Sequence, residues 1–226
     1  KLEDLNFMNP KKQTQKREPQ KRAKQKQRLF TMLGIGLFLL FLGYVTWQQT
    51  SSGEALAPDV VPDPFIGPAD AAVEVVEYAD FGCPACRAWH NSSVREQMFT
   101  TFGDQVRFVW KDFPVITALS PKAAEAGHCA AAQGKFWEYH DYLYEQASGL
   151  EIDQLKQYAD AVGLDAPLFG QCLDSGMMVR KVRAGEQEAR RLGLRATPGF
   201  AINGRPLNGA PTFEILASEI EQALGN

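Results

Sequence analysis

The 226-residue chain is 45% hydrophobic and 23% charged, with four cysteines and a formal net charge of −3. The small net charge hides a split: residues 1–28 carry ten Lys/Arg against Glu3, Asp4 and Glu18, while the other 198 residues hold 14 basic and 24 acidic groups. The basic run has no interleaved aromatics and abuts an apolar segment, which argues against nucleic acid as its partner.

Residues 1–28 therefore read as a basic cytoplasmic arm, and Leu29 to Trp47 as a transmembrane helix of 19 uncharged residues. At ~1.5 Å per residue that helix is about 28 Å long, close to a hydrocarbon core of ~30 Å. Tyr44 and Trp47 stand at its far end as interfacial aromatics do, and the basic excess on the amino-terminal side orients that end inward. A cleaved signal peptide ending near Ala57 is the competing reading, disfavoured by the length of the apolar stretch and by Pro58. In either case the rest of the chain is exported. Residues 48–68, with Ser51-Ser52-Gly53 and then Pro58, Pro62, Pro64 and Pro68, read as a flexible-to-extended linker. Residues 69–226 are left as one domain, about 155 residues long and a normal size for a single core.

Within that domain, Val73 to Ala79 is β-branched and reads as a central strand; Gln105 to Lys111 reads as a second. Between them lies Cys83-Pro84-Ala85-Cys86, followed by Arg87 to Phe99, which is free of proline and glycine and predicts a helix. This strand–helix–strand unit implies a parallel pair joined by a right-handed crossover. From about residue 118 to 193 the pattern is helical. Starts are signalled at Ser120-Pro121 and Lys135, with further helices over 152–162, 166–173 and 176–192. Asn203-Gly204 between two apolar runs predicts a hairpin, and Thr212 to Leu224 a last amphipathic helix.

A cysteine in the first turn of a helix faces unpaired N–H groups and the positive end of the helix dipole, both of which favour thiolate. Pro84 suits the first helical position because its missing N–H costs nothing there. Cys83 and Cys86 thus read as a redox pair, since the thiolate is the reactive form. Zinc is the other reading of such a pair. It requires a second close pair of ligands, and Cys129, Cys172, His90, His128 and His140 do not provide one. No cofactor or metal is expected. Glu77 and Asp80, just before the cysteines, are candidate proton shuttles if buried, although strand alternation also allows either to face solvent. His140 falls on an apolar stripe and reads as a core histidine.

Four motifs taken together, Tyr78 to Cys86, Lys135 to His140, Ala196-Thr197-Pro198 and Ile202-Asn203-Gly204, resemble the DsbA-like thiol–disulfide oxidoreductases of the thioredoxin superfamily. The resemblance spans about Pro68 to Leu224. It implies an α/β thioredoxin fold with an inserted all-helical subdomain, and it makes Cys83 the attacking and Cys86 the resolving cysteine. It further implies that Pro198, preceded by Thr197, is a cis-proline whose loop pairs with substrate backbone. Strongly oxidising relatives have a histidine where this chain has Ala85, so the direction of exchange stays open. With Cys83 and Cys86 assigned to the redox pair, an even cysteine count in an exported domain leaves Cys129 and Cys172 as a second bridge or as two buried thiols. The resemblance favours the bridge. The implied partners are exported proteins bearing thiols or disulfides, together with a membrane redox protein. That protein would be a quinone-linked re-oxidase of DsbB-like or VKOR-like type, or a carrier of reductant. The expected function is a membrane-anchored dithiol oxidase acting in the periplasm or outside the cell. Reductase or isomerase activity, and a non-catalytic peptide-binding domain, are the alternatives.

Overall fold

The computed structural model describes residues 32, 34–43, 61–146 and 149–225. Of the expected membrane helix, residues 32 and 34–43 are helical and exposed, and the rest of Leu29–Trp47 lies outside the described residues. Among the described residues no helix is long and apolar enough to cross a membrane. The basic arm and residues 48–60 of the expected linker also lie outside them.

Residues 61–225 build a five-stranded sheet with helices on both faces. Its strands are β1 (Phe65–Ile66), β2 (Val73–Ala79), β3 (Val106–Asp112), β4 (Gly199–Ile202) and β5 (Arg205–Asn208), in the spatial order β1-β3-β2-β4-β5. β2 and β3 are parallel, in register from Val73↔Val106 to Ala79↔Asp112, and every other pairing is antiparallel. β2, at the centre, and its parallel neighbour β3 are largely buried because they are runs of Val, Phe, Tyr and Trp that can fill both sheet faces. The β4–β5 turn follows from Asn203 (φ 46°) and Gly204 (φ 78°), the two residue types that accept left-handed backbone in a two-residue hairpin.

The crossover from β2 to β3 differs from the single helix expected over Arg87–Phe99. It consists of α1 (Pro84–His90) and α2 (Val94–Phe102), separated by Asn91-Ser92-Ser93 with Ser93 at φ 58°. Serine and asparagine compete with helical backbone for hydrogen bonds, and Ser92 Oγ donates back to the Trp89 carbonyl. The break separates α1, headed by the cysteines, from α2, and Trp89 of α1 packs with Met98 and Phe102 of α2 in one cluster.

Five helices then form the insertion: α3 (Ser120–Ala131), α4 (Phe136–Glu145), α5 (Ile152–Ala161), α6 (Ala166–Ser175) and α7 (Val179–Arg191). α8 (Phe213–Leu224) closes the fold, capped by Thr212, whose hydroxyl faces the Ile215 N–H. α2 and α8 cover one sheet face through Met98, Phe102, Leu216 and Ile220, packed on Val73, Val75, Phe108 and Phe200. Val76, Tyr78 and Val109 meet Ala189 of α7 and Leu194 on the other face. A third cluster holds the insertion together and runs on into Phe81, Cys83, Cys86 and Trp110, so the cysteines sit where sheet and insertion meet. Cys129 and Cys172 are bridged, Cα to Cα 5.8 Å, and join α3 to α6.

The domain starts earlier than residue 69. Val61 is buried, β1 pairs with β3, the Trp110 N–H donates to the Pro64 carbonyl, and Asp63 forms ion pairs with Lys111 and Lys181. The prolines of residues 61–68 belong to an edge strand and its approach, where a missing N–H is tolerated, and not to a free spacer.

Candidate functional site

The site is assembled by the turn between β2 and α1. Asp80 follows the last residue of β2 and uses both carboxylate oxygens on backbone: Oδ1 accepts from the Gly82 N–H at 2.7 Å and Oδ2 from the Ile116 N–H at 2.8 Å. The Cys83 N–H donates to the Asp80 carbonyl at 2.9 Å. A side chain at Gly82 would place its Cβ 2.7 Å from Ser120 Oγ, so only glycine lets this turn lie against α3. Cys83 then takes extended backbone angles as the cap of α1, Pro84 opens the helix, and the Cys83 carbonyl accepts the first helical bond from Arg87.

Cys83 is 4% exposed and Cys86 wholly buried. Cys83 is buried although it stands at a helix start, because its sulfur lies against the loop ending in Thr197–Pro198. That peptide bond is cis. The Cys83 thiol donates to the Thr197 carbonyl at 3.3 Å. Pro84 and Ala85, the two residues between the cysteines, are exposed.

The two sulfurs differ in acidity. The Cys83 thiol is brought down from 9.0 to about 5, chiefly by the Cys86 thiol donating to it. Burial works against this, and the Thr197 side chain and the N–H groups of Cys86 and Ala85 help. Cys86 is driven far above its ordinary value by burial, then by Cys83 and by the charge of Glu77. One proton therefore serves both sulfurs, held on Cys86 and shared towards a Cys83 thiolate. The fall at Cys83 corresponds to ~5 kcal/mol of preference for the ionised form.

Glu77 and Asp80, paired as candidates by sequence, have different surroundings. Glu77 is buried on the sheet face that α1 covers, and burial pushes its carboxyl from 4.5 up to about 8, with Arg95 opposing and Cys83 adding to the rise. It can hold a proton near neutral pH and feels the charge on both sulfurs. Asp80 is buried too, but its oxygens are committed to the turn, which is a positioning task.

Sequence reasoning passed over Arg95 of α2 and Tyr144 of α4. Arg95 is the positive charge that opposes the rise at Glu77, and its guanidinium lies over the Phe108 and Trp137 rings. The Tyr144 hydroxyl donates to the Asp80 carbonyl at 3.4 Å, and burial holds its proton on, reinforced by Cys86 and Glu77. Both act across long sequence separations, so no local motif announces them. His140 is a buried core residue, as its stripe position suggested, and burial lowers it to about 4.

Two hollows flank the cysteines. One, of about 450 Å³, lies between α1 and the start of α8 and is lined by Ala85, Ala88, Trp89, Pro211 and Phe213. Trp89 Nε1 donates to the Pro211 carbonyl at 3.0 Å and fixes its floor. The other, of about 250 Å³, lies on the insertion side against Phe81, Pro84, Leu119, Leu143 and Leu150.

A family profile described as Thioredoxin matches residues 59–222. Among solved structures, a thioredoxin-like oxidoreductase from Silicibacter pomeroyi superposes with a TM-score of 0.66 at 24% identity, covering 75% of this chain and 96% of that one. BdbD from Bacillus subtilis superposes with a TM-score of 0.66 at 22% identity, covering 73% and 94%. These likenesses concern the fold. In sequence, the chain is 36% identical over 191 residues to a protein of Herminiimonas arsenicoxydans named Na(+)/H(+) antiporter NhaA. The match covers 83% of this chain and spans 30% of that relative's length.

Proposed function

The chain belongs to the thioredoxin family, and on that premise we propose that it is a thiol–disulfide oxidoreductase whose redox pair is Cys83 and Cys86. The observation that carries this reading is a thiol brought to about 5 at the head of α1, facing the cis-proline loop, with a second thiol buried behind it. In the oxidised form a substrate thiolate attacks Cys83 Sγ and breaks the Cys83–Cys86 bond, leaving a mixed disulfide and a Cys86 sulfur that takes up a proton. In this reading Glu77 supplies that proton, supported by its burial and by a carboxyl raised to about 8. A second substrate thiolate then attacks the substrate sulfur of the mixed disulfide and displaces the Cys83 thiolate. The substrate is oxidised by two electrons and the pair reduced.

The direction we propose is oxidation of exported proteins. A stabilised Cys83 thiolate stabilises the reduced pair, and a pair more stable when reduced is the better oxidant. A membrane redox protein would collect the two electrons. The basic arm and the uncharged Leu29–Trp47 support a single-pass anchor with the catalytic domain outside. Reductase or isomerase activity is the second reading, favoured by Ala85 standing where strongly oxidising relatives have histidine. The antiporter name belongs to a protein of which this chain spans 30%, and ion exchange is not part of the proposal.

Equilibration with glutathione tests the direction: a potential near about −120 mV supports an oxidase, and one near about −270 mV a reductase. Failure of the pair to equilibrate with any dithiol reagent would overturn both. Resistance of the full chain to alkaline extraction from membranes, with Cys83 labelled by an impermeant thiol reagent in intact cells, tests the anchor and its orientation.

A further inference from the structure

At the far end of α1 from the cysteines, His90 meets His140 and Asp141 of α4. Among the described residues this is the one group of three such side chains whose donor atoms converge, all within 4.8 Å of one another. Asp141 Oδ1 lies 2.8 Å from His140 Nδ1 and 3.8 Å from His90 Nε2. Nitrogen and oxygen ligands at ~2.0–2.1 Å from a tetrahedral zinc ion are about 3.3 Å apart, so the two separations bracket what such an ion requires.

His140 supplies a second, independent observation. Its side chain is 1% exposed, and its Nε2 has no hydrogen-bond partner among the described residues. The ring is enclosed by those of Phe81, Trp110, Phe136, Trp137 and Tyr144, with centroids 4.8–5.7 Å away. A neutral imidazole has one N–H and one lone pair. With the proton on Nδ1, the ring donates to Asp141 but buries an Nε2 lone pair among aromatic faces with no donor, which is costly. With the proton on Nε2, the N–H meets favourable aromatic faces, but the Nδ1 lone pair then points at a carboxylate oxygen. A cation between Nδ1 and Asp141 removes the conflict, because both become donors to the ion while Nε2 keeps its proton.

We propose that His90, His140 and Asp141 bind one divalent transition-metal ion, zinc first among them, with the fourth position open to water. Two neutral imidazoles and a carboxylate form a donor set suited to zinc. The ion would fasten the active-site helix α1 to the inserted helix α4 and so hold the two halves of the cysteine site together. Arg95 Nη2 stands 3.9 Å from the same Asp141 oxygen, so guanidinium and metal compete for this carboxylate and the affinity is lower than at a site without that charge. His90 and His140 lie on separate helices, which is why ligand spacing in the sequence does not disclose the site.

The test is a calorimetric titration of the full chain, without an affinity tag, with zinc chloride. Cys83 and Cys86 are first oxidised to their disulfide so that thiolates take no part. The expected result is one zinc ion per chain and a rise in the unfolding temperature on binding. His90→Ala and Asp141→Asn should each weaken binding by about tenfold or more. Asp141→Asn preserves shape and decides the matter if His90→Ala folds poorly. Absence of zinc binding by the oxidised chain, or wild-type affinity in either folded variant, overturns the site. The result is independent of thiol exchange, because the double variant Cys83→Ser with Cys86→Ser should bind zinc as the oxidised wild type does.

Discussion

Cys83 and Cys86 stand three positions apart at the head of α1 as free thiols, whereas Cys129 and Cys172, 43 positions apart, are bridged inside the helical insertion. Both pairs are buried, so burial does not separate them. The difference lies in what surrounds the sulfurs. Cys83 has the N–H groups of Cys86 and Ala85 and the Cys86 thiol, all of which can donate to a thiolate. Cys129 and Cys172 sit in a hydrophobic cluster with Ala, Phe, Leu and Met side chains, closed into a disulfide. A thiolate is needed to attack or to leave, so the first pair is built for exchange and the second for retention.

The largest effect expected from breaking this contrast is at Cys83. Cys83→Ser should lower the rate of disulfide exchange with a model dithiol by about a thousandfold or more, while the unfolding temperature changes little. Removing the other pair should do the reverse. In the chain-entropy picture a 43-residue closure contributes ~4 kcal/mol, and Cys129→Ala with Cys172→Ala should cost about 2–5 kcal/mol in denaturant unfolding with exchange at Cys83 retained. On mild reduction of the fully oxidised chain, alkylation mapping should find Cys83–Cys86 opened first; equal lability would erase the contrast.

Acidity sharpens it further. The rate of Cys83 alkylation should titrate with a midpoint near pH 5 instead of near 9.0. Because the folded thiol ionises below the unfolded one, the reduced protein gains stability as pH rises from about 5 to 9 and loses it as pH falls through about 5. Glu77 has the opposite sign. Its folded value of about 8 exceeds the unfolded 4.5, so the folded state binds the extra proton and loses stability as pH rises through that window. Glu77→Gln should therefore stabilise the domain at pH 8 by on the order of 2–4 kcal/mol, flatten its pH dependence and slow exchange. The smallest effect belongs to Thr197→Val, which removes a polar side chain that helps hold the Cys83 charge and should raise the alkylation midpoint by under ~1 pH.

Much of the fold was legible because its signals are local. Val73–Ala79 is bounded correctly by β-branched composition, the Asn203-Gly204 hairpin is found by left-handed tolerance, and the insertion helices are located by Gly and Pro punctuation, although the one expected from residue 176 starts at Val179. The break between α1 and α2 was missed because Asn91-Ser92-Ser93 contains neither of those two residues, although each of its side chains competes with helical backbone. Residues 61–68 look like a spacer for a related reason: Pro62, Pro64 and Pro68 suggest one until β3 offers this segment an edge. The site divides along the same line. Cys83, Cys86 and Pro198 carry motifs, whereas Arg95, Tyr144 and the commitment of Asp80 to Ile116 depend on contacts between distant segments.

By itself the sequence determined where helices and strands form and that two thiols would meet at a helix start, since propensity, capping and turn chemistry act over a few residues. Only the tertiary structure decided how far Cys83 ionises, which carboxylate keeps its proton and which imidazoles converge with Asp141. Those outcomes are set by burial and by charges brought together across the fold, and neither acts until the chain has closed on itself.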